Sequence, residues 1–265
     1  MNVFVNELKA HKWGLFWWSW GMIFMIYASM TKYSAFAKTV SKTADIFKIL
    51  PKTLAAVFGI SSVDITTALG FFSVIMMYLI IMGAIHASLL GAGILTEEEL
   101  DRTAEFLFAK PISRARVITE KMLAAVINVV VLNIVTMVSG VMIVASFNKG
   151  ESATKGVVLF IIGLLFVQFI FMALGMAAAS VFRRPKLAAP AVTGYLLAAY
   201  FISVWMDVTD KYQWLKYFTP FKYFPATTIV KDLKLDFVFI VLSLAITVIM
   251  IALTYYFYRK RDLYI

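Results

Sequence analysis

Residues 65–96, ITTALGFFSVIMMYLIIMGAIHASLLGAGILT, run for 32 positions without Asp, Glu, Lys or Arg. A bilayer core takes about 20 apolar residues in a helix and strongly disfavours charge. The run is continuous rather than alternating, so it reads as a helix, because a strand of a transmembrane barrel shows short alternating segments. A helix also satisfies its own backbone hydrogen bonds, which lipid cannot do. Working outward, five more uncharged windows reach 18 residues: 13–31, 122–148, 156–182, 187–206 and 237–258. The next longest, 53–63, has 11 residues and is too short to cross. The expected fold is an all-α membrane protein forming one transmembrane domain over 1–265. Its six transmembrane helices are expected near 14–31, 68–94, 120–145, 157–181, 188–207 and 237–258.

Composition excludes the other classes. With 62% hydrophobic and 15% charged residues and a mean hydropathy of +0.86, too little polar surface exists to cover a soluble fold of this size. Disorder is excluded on the same ground. The absence of cysteine excludes a disulfide-stapled domain. The first window is long, rich in Trp and lacks a small-residue cleavage site, so it is expected to be retained rather than cleaved.

Six crossings place both termini on one side. That side carries 13 Lys and Arg in 48 residues, against 12 in 70 opposite, and all seven arginines (Arg102, Arg114, Arg116, Arg183, Arg184, Arg259 and Arg261). The positive-inside rule then puts the termini in the cytoplasm of the cell (plasma) membrane. The net charge of +10 divides evenly between the two sides, which suits anionic lipid headgroups. With no basic–aromatic motif, no nucleic-acid partner is expected.

Three segments between the spans carry information. Residues 1–12, MNVFVNELKAHK, read as a short interfacial helix followed by the anchoring rings of Trp13, Trp17, Trp18 and Trp20. On the external side, 49–60 read as a short amphipathic helix after Pro51. Also external, 211–233 contain YQWLKYFTPFKYF (212–224), too charged to cross and too aromatic for a plain loop. A re-entrant or interfacial helical hairpin and a simple aromatic belt both fit it. On the cytoplasmic side lies TEEELDRTAEFLFAKPISRARVITEKML (96–123). Thr96 and Glu99 fit a capping box that starts a helix over 97–110, and Leu100, Thr103, Ala104, Leu107 and Phe108 form one apolar face. Pro111 stops that helix and Ser113 caps the next. The apolar stripe needs a partner, and either the lipid surface or a soluble protein satisfies it.

The order Glu98-Glu99-x-Asp101-Arg102-Thr103-x-Glu105-Phe106-Leu107-x-x-Lys110-Pro111-Ile112-Ser113-Arg114, with Lys121 opening the next span, strongly resembles the intracellular signature of type-2 export permeases of ATP-binding-cassette (ABC) transporters. Arg102 stands where that family often has Gly, so a continuous helix is expected in place of a tight turn. Glu7-Leu8-Lys9 resembles the family's N-terminal elbow helix. Leu215-Lys216-Tyr217-Phe218-Thr219-Pro220-Phe221 resembles an element of its external hairpin, and Tyr258-Arg259-Lys260-Arg261-Asp262-Leu263 its closing Arg-Asp pair. The resemblance covers nearly the whole chain. It implies a permease dimer, a second copy of the chain beside the first in the lipid bilayer, working with two separate ABC ATPase subunits in export. The apolar walls and few fixed charges of the spans suit amphipathic or hydrophobic compounds such as peptides or drugs, though polysaccharide and lipid exporters share the layout. The resemblance makes 97–110 the cytoplasmic coupling helix, with Glu98, Glu99, Arg102, Thr103, Glu105, Phe106, Leu107, Phe108, Lys110, Pro111 and Arg114 as the ATPase-coupling residues. The chain has no GxxxxGK[ST] loop, so ATP and Mg2+ are expected in the partner, with no catalytic residue, cofactor or metal here.

His86, Asn128, Asn133 and Gln168 lie within spans and are candidates for a substrate path, with interhelical hydrogen bonding the first reading. Gly83, Ala87 and Gly91, beside Ala84, Ser88 and Ala92, form a stripe of small residues that permits close helix approach, within one subunit or at a dimer seam. Two other functions compete with ABC export. A stand-alone secondary transporter or channel usually needs mid-membrane charge, and the windows hold none beyond His86. An intramembrane glutamic protease would use Glu97-Glu98-x-x-x-Arg102 with histidines on neighbouring spans, but the chain has only His11 and His86, and no HExxH zinc motif.

Overall fold

The computed structural model describes residues 3–40, 63–103, 105, 112–148, 153–209 and 212–261. Among the described residues eight α-helices follow in order: α1 (Val3–Ala10), α2 (Lys12–Val40), α3 (Ala68–Leu100), α4 (Arg114–Phe147), α5 (Thr154–Val181), α6 (Ala188–Thr209), α7 (Ala226–Asp232) and α8 (Phe237–Lys260). No strand occurs among the described residues. Five helical stretches are long and apolar enough to cross a membrane: α3, α4, α5, Pro185–Thr209 (α6 with the 3-10 turn Pro185–Leu187) and α8. The 29-residue α2 holds the first expected span. Its tryptophans, with Tyr27 and several Ser and Thr, keep its mean hydropathy below that of the five. The external helix expected at 49–60 lies outside the described residues.

Local chemistry sets the helix starts. The Thr67 hydroxyl accepts from the Gly70 amide at 3.0 Å, and the Asp236 carboxylate from the Val238 amide at 2.9 Å. Ser113 caps α4 as its sequence position implies, accepting from the Arg116 amide at 3.3 Å. Each such cap satisfies an amide that the first helical turn leaves without a partner.

α5 is the centre of the bundle, with 61% of its most apolar stretch buried against 22% for α8. The stripe of small residues explains its close seam with α3, and this seam lies within one subunit. A Cβ at Gly91 would strike the Met172 carbonyl, and one at Gly175 would sit 2.5 Å from the Ser88 carbonyl oxygen. Lipid is as apolar as the side chains, so such backbone proximity and dispersion do the work that hydrophobicity does in water.

The segment after Thr96, expected on the cytoplasmic side, departs from the sequence reading. No helix begins at Thr96. α3 runs on through Leu100, and the Thr96 hydroxyl donates back to the Ala92 carbonyl at 2.9 Å. The chain then turns at Arg102, whose φ of 57° is left-handed. The Asp101 amide donates to the Glu97 carbonyl and the Thr103 amide to the Glu98 carbonyl, each at 2.8 Å. The second bond, around a left-handed residue just past the cap, is that of a Schellman stop. The position favours glycine, and an arginine there costs about 1 kcal/mol. The tight turn therefore survives the missing Gly, and a continuous helix does not form.

The segment 212–232, expected on the external side, is likewise not a pair of helices among the described residues. It comprises two 3-10 turns, Gln213–Tyr217 and Pro220–Lys222, and the seven-residue α7. Its aromatics divide. Tyr223 and Phe224 are buried, while Tyr212, Trp214, Tyr217 and Phe218 are exposed. Thr219 ties the segment to α6 by donating to the Ala199 carbonyl at 2.9 Å.

Gly91→Ala tests the helix seam. Overpacking should lower stability by about 1–3 kcal/mol, read as a drop in melting temperature in detergent. An unchanged melt would place the close contact elsewhere.

Candidate functional site at the clustered helix ends

The N-terminal helix α1, the end of α3, the start of α4 and the ends of α5 and α8 meet at one end of the bundle. The sequence analysis assigned these same segments to a single side. Two buried cations hold the junction together.

The first is Lys121, two turns into α4 and fully buried. Its ammonium lies 2.9 Å from Glu7 Oε1 on α1 and 2.6 Å from Glu98 Oε1 on α3, and donates to the Ile94 carbonyl at 2.5 Å. Glu7 is itself buried. Burial works to raise its pKa, but the neighbouring His11 imidazole and the Lys121 ammonium more than reverse this and hold the carboxyl below its ordinary value. α1 is fixed further by the Phe4 amide, which donates to Glu120 Oε2 at 3.2 Å.

The second is Arg261, at the cap of α8. Its guanidinium pairs with the buried Glu99 and donates to the Ala179 carbonyl at 2.5 Å and the Phe182 carbonyl at 2.6 Å. One planar fork thus joins α3, α5 and α8. Burial pulls its pKa down from the usual arginine value. Arg114 completes the link, donating to the Arg261 carbonyl at 2.6 Å. Thr119 on α4 and Tyr255 on α8 share a hydroxyl hydrogen bond at 2.7 Å.

Glu97, Glu98 and Glu99 therefore sit at the C-terminal end of a helix, where the dipole disfavours acids. The buried cations outweigh that cost. This pairing also extends α3 beyond its apolar window.

Of the expected coupling residues, Glu98, Glu99 and Arg114 belong to this network. Arg102, Thr103 and Glu105 are exposed beyond it. Phe106, Leu107, Phe108, Lys110 and Pro111 lie outside the described residues. The candidates within spans are only partly brought together. Asn133 on α4 donates to Gln168 on α5, and Gln168 donates to the Gly83 carbonyl on α3 at 3.3 Å, a bridge of three helices. This is the interhelical bonding expected of them. His86 is buried against the edge of the Trp18 ring, 5.3 Å between centroids, and its Nδ1 has no hydrogen-bond partner. Asn128 is buried on α4. None of the four lines the apolar cavity of about 280 Å³ between α5, α6 and α8.

Sequence reasoning did not single out Glu7, His11, Lys121 and Arg261 as one cluster. The available signal was Lys121, since a lysine two turns inside a span-forming helix needs an acidic partner. Arg261→Lys keeps the charge but loses the fork. It should lower stability by about 1–3 kcal/mol in detergent unfolding, and an equal melt would show that the fork contributes nothing.

No curated protein matches the chain. The family model described as ABC-2 family transporter protein matches residues 1–263, nearly the entire length. The chain thus belongs to the ABC-2 transporter family, as a multi-pass membrane permease of an ABC transporter and not its ATPase.

Proposed function

We propose that this permease is the pathway-forming subunit of an ATP-driven exporter, in which two copies pair and two separate ATPase subunits dock from the cytoplasm. Each copy crosses the plasma membrane six times, with α2 as the additional crossing and both termini cytoplasmic. α1 is the elbow helix, and the segment after the Arg102 turn, through Pro111, is the coupling element.

The observation that carries this reading is the junction at the helix ends. A push on the coupling segment reaches α3 through the Arg102 turn and α4 through Ser113. Lys121 and Arg261 pass it to α1, α5 and α8 as one unit. Packed helices with discrete arrangements convert such a push into a change between inward- and outward-open states when nucleotide binds one state better. An amphipathic or hydrophobic cargo is supported by the apolar lining of the cavity between α5, α6 and α8, which includes Leu174, Val181, Val192 and Leu253.

The coupling role is tested at Leu107, in the segment between the Arg102 turn and Pro111. Leu107→Glu should abolish nucleotide-stimulated transport in proteoliposomes while the permease still inserts and folds. Normal transport by this variant would remove the docking role. The tagged chain should also capture a protein with a phosphate-binding loop, and by itself should hydrolyse no ATP. Turnover by the purified chain would overturn the division of labour.

A further inference from the structure

Beside the Lys121 pair, on the side facing the cytoplasmic surface, three further groups converge. Glu7 and His11 are one helical turn apart, so they share a face where α1 passes into α2. Glu97 approaches from the end of α3. His11 Nε2 lies 3.6 Å from Glu7 Oε2 and 3.8 Å from Glu97 Oε2, and one ligand atom from each residue falls within 4.8 Å of the others.

Two further observations mark this as more than a polar cluster. Glu7 is over nine-tenths buried, and its Oε2, aimed into the space between the three residues, has no hydrogen-bond partner. His11 Nε2 is likewise buried without one. Such groups cost free energy unless something satisfies them. The charge is also unbalanced. Glu7, Glu97 and Glu98 bring three carboxylates and Lys121 one ammonium. With the His11 imidazole neutral, as a metal ligand is, two negative charges are left over, the charge that one divalent cation neutralises.

We infer that Glu7, His11 and Glu97 form a binding site for a divalent transition metal of the zinc type. One imidazole nitrogen and two carboxylate oxygens suit such ions. Ligand atoms about 2.0–2.1 Å from a tetrahedral ion stand about 3.4 Å apart, so the spacings from His11 to Glu7 and to Glu97 need to contract by only a few tenths of an ångström, with the two carboxylates already within 4.8 Å of each other. Glu97 is 43% exposed at its side chain and His11 25%, which gives the ion an entry path and lets water complete its shell. The bound ion ties the α1–α2 junction to the end of α3, just before the Arg102 turn. The sequence conceals the site because only Glu7 and His11 show ligand spacing, and the third ligand comes from another helix.

The test is metal binding by the full chain in detergent, purified with a tag free of histidine. The protein is stripped with chelator, equilibrated with Zn2+ and desalted, and its metal is counted by mass spectrometry. Co2+ is used in parallel for its visible spectrum. Wild type should hold about one ion per chain, and zinc should raise its melting temperature. His11→Gln and Glu97→Gln both leave the Glu7–Lys121 pair in place. Each should melt like metal-free wild type and bind at least about tenfold more weakly. Wild type that retains no metal, or variants that bind as tightly as wild type, would overturn the site. The assay involves neither transport nor an ATPase, so its outcome is separate from that of the exporter reading.

Discussion

A lysine ammonium with no access to solvent governs one end of this permease's helix bundle. A charge out of water is tolerated only when paired and hydrogen-bonded. Lys121 meets that condition with one carboxylate from α1, one from α3 and a backbone carbonyl. Helices α1, α3 and α4 are thereby obliged to meet at one point. Arg261 imposes the same condition on α3, α5 and α8 through Glu99. The order of the helix ends around the junction follows from these two demands.

Deeper in the bundle the constraint changes from charge to shape. α3 and α5 approach closely because Gly91 and Gly175 leave room for the partner's backbone. The polar atoms of Asn133 and Gln168 bridge α4, α5 and α3. Such bridges satisfy groups that lipid would leave unpaired. The two regions have different tasks in a transporter. On the proposed exporter reading, the apolar seam holds helices in discrete packings, and the ionic junction joins them to the segment proposed for coupling.

The sequence made much of this legible, because membrane helices announce themselves by apolar length. α3, α4, α5, α6 and α8 start and end within a few residues of the uncharged windows, except where ion pairs prolong them. The same exception defeated the reading of 96–103. A Thr-x-x-Glu pattern looks like a capping box from its spacing alone, and only the buried Lys121 and Arg261 reveal that these acids finish one helix rather than start another. Arg102 misled for a related reason. Local preference argues against a left-handed arginine, but Glu98 and Glu99, fixed on either side of α3, leave the chain to turn there. His11 gave no signal beyond its one-turn spacing from Glu7, since its other neighbour Glu97 is distant in sequence. The aromatic segment 212–224 could be read as buried or exposed, and its residues do both.

The account stands most directly on the claim that Lys121 binds α4 to the end of α3 by a buried ionic contact. A double-mutant cycle between Lys121→Met and Glu98→Gln, read by unfolding in detergent, measures that contact. The account predicts that the two losses are not additive: the lone lysine replacement strands a carboxylate that the second change neutralises, giving a coupling of about 1 kcal/mol or more. Losses that simply add, to within about 0.5 kcal/mol, would contradict it.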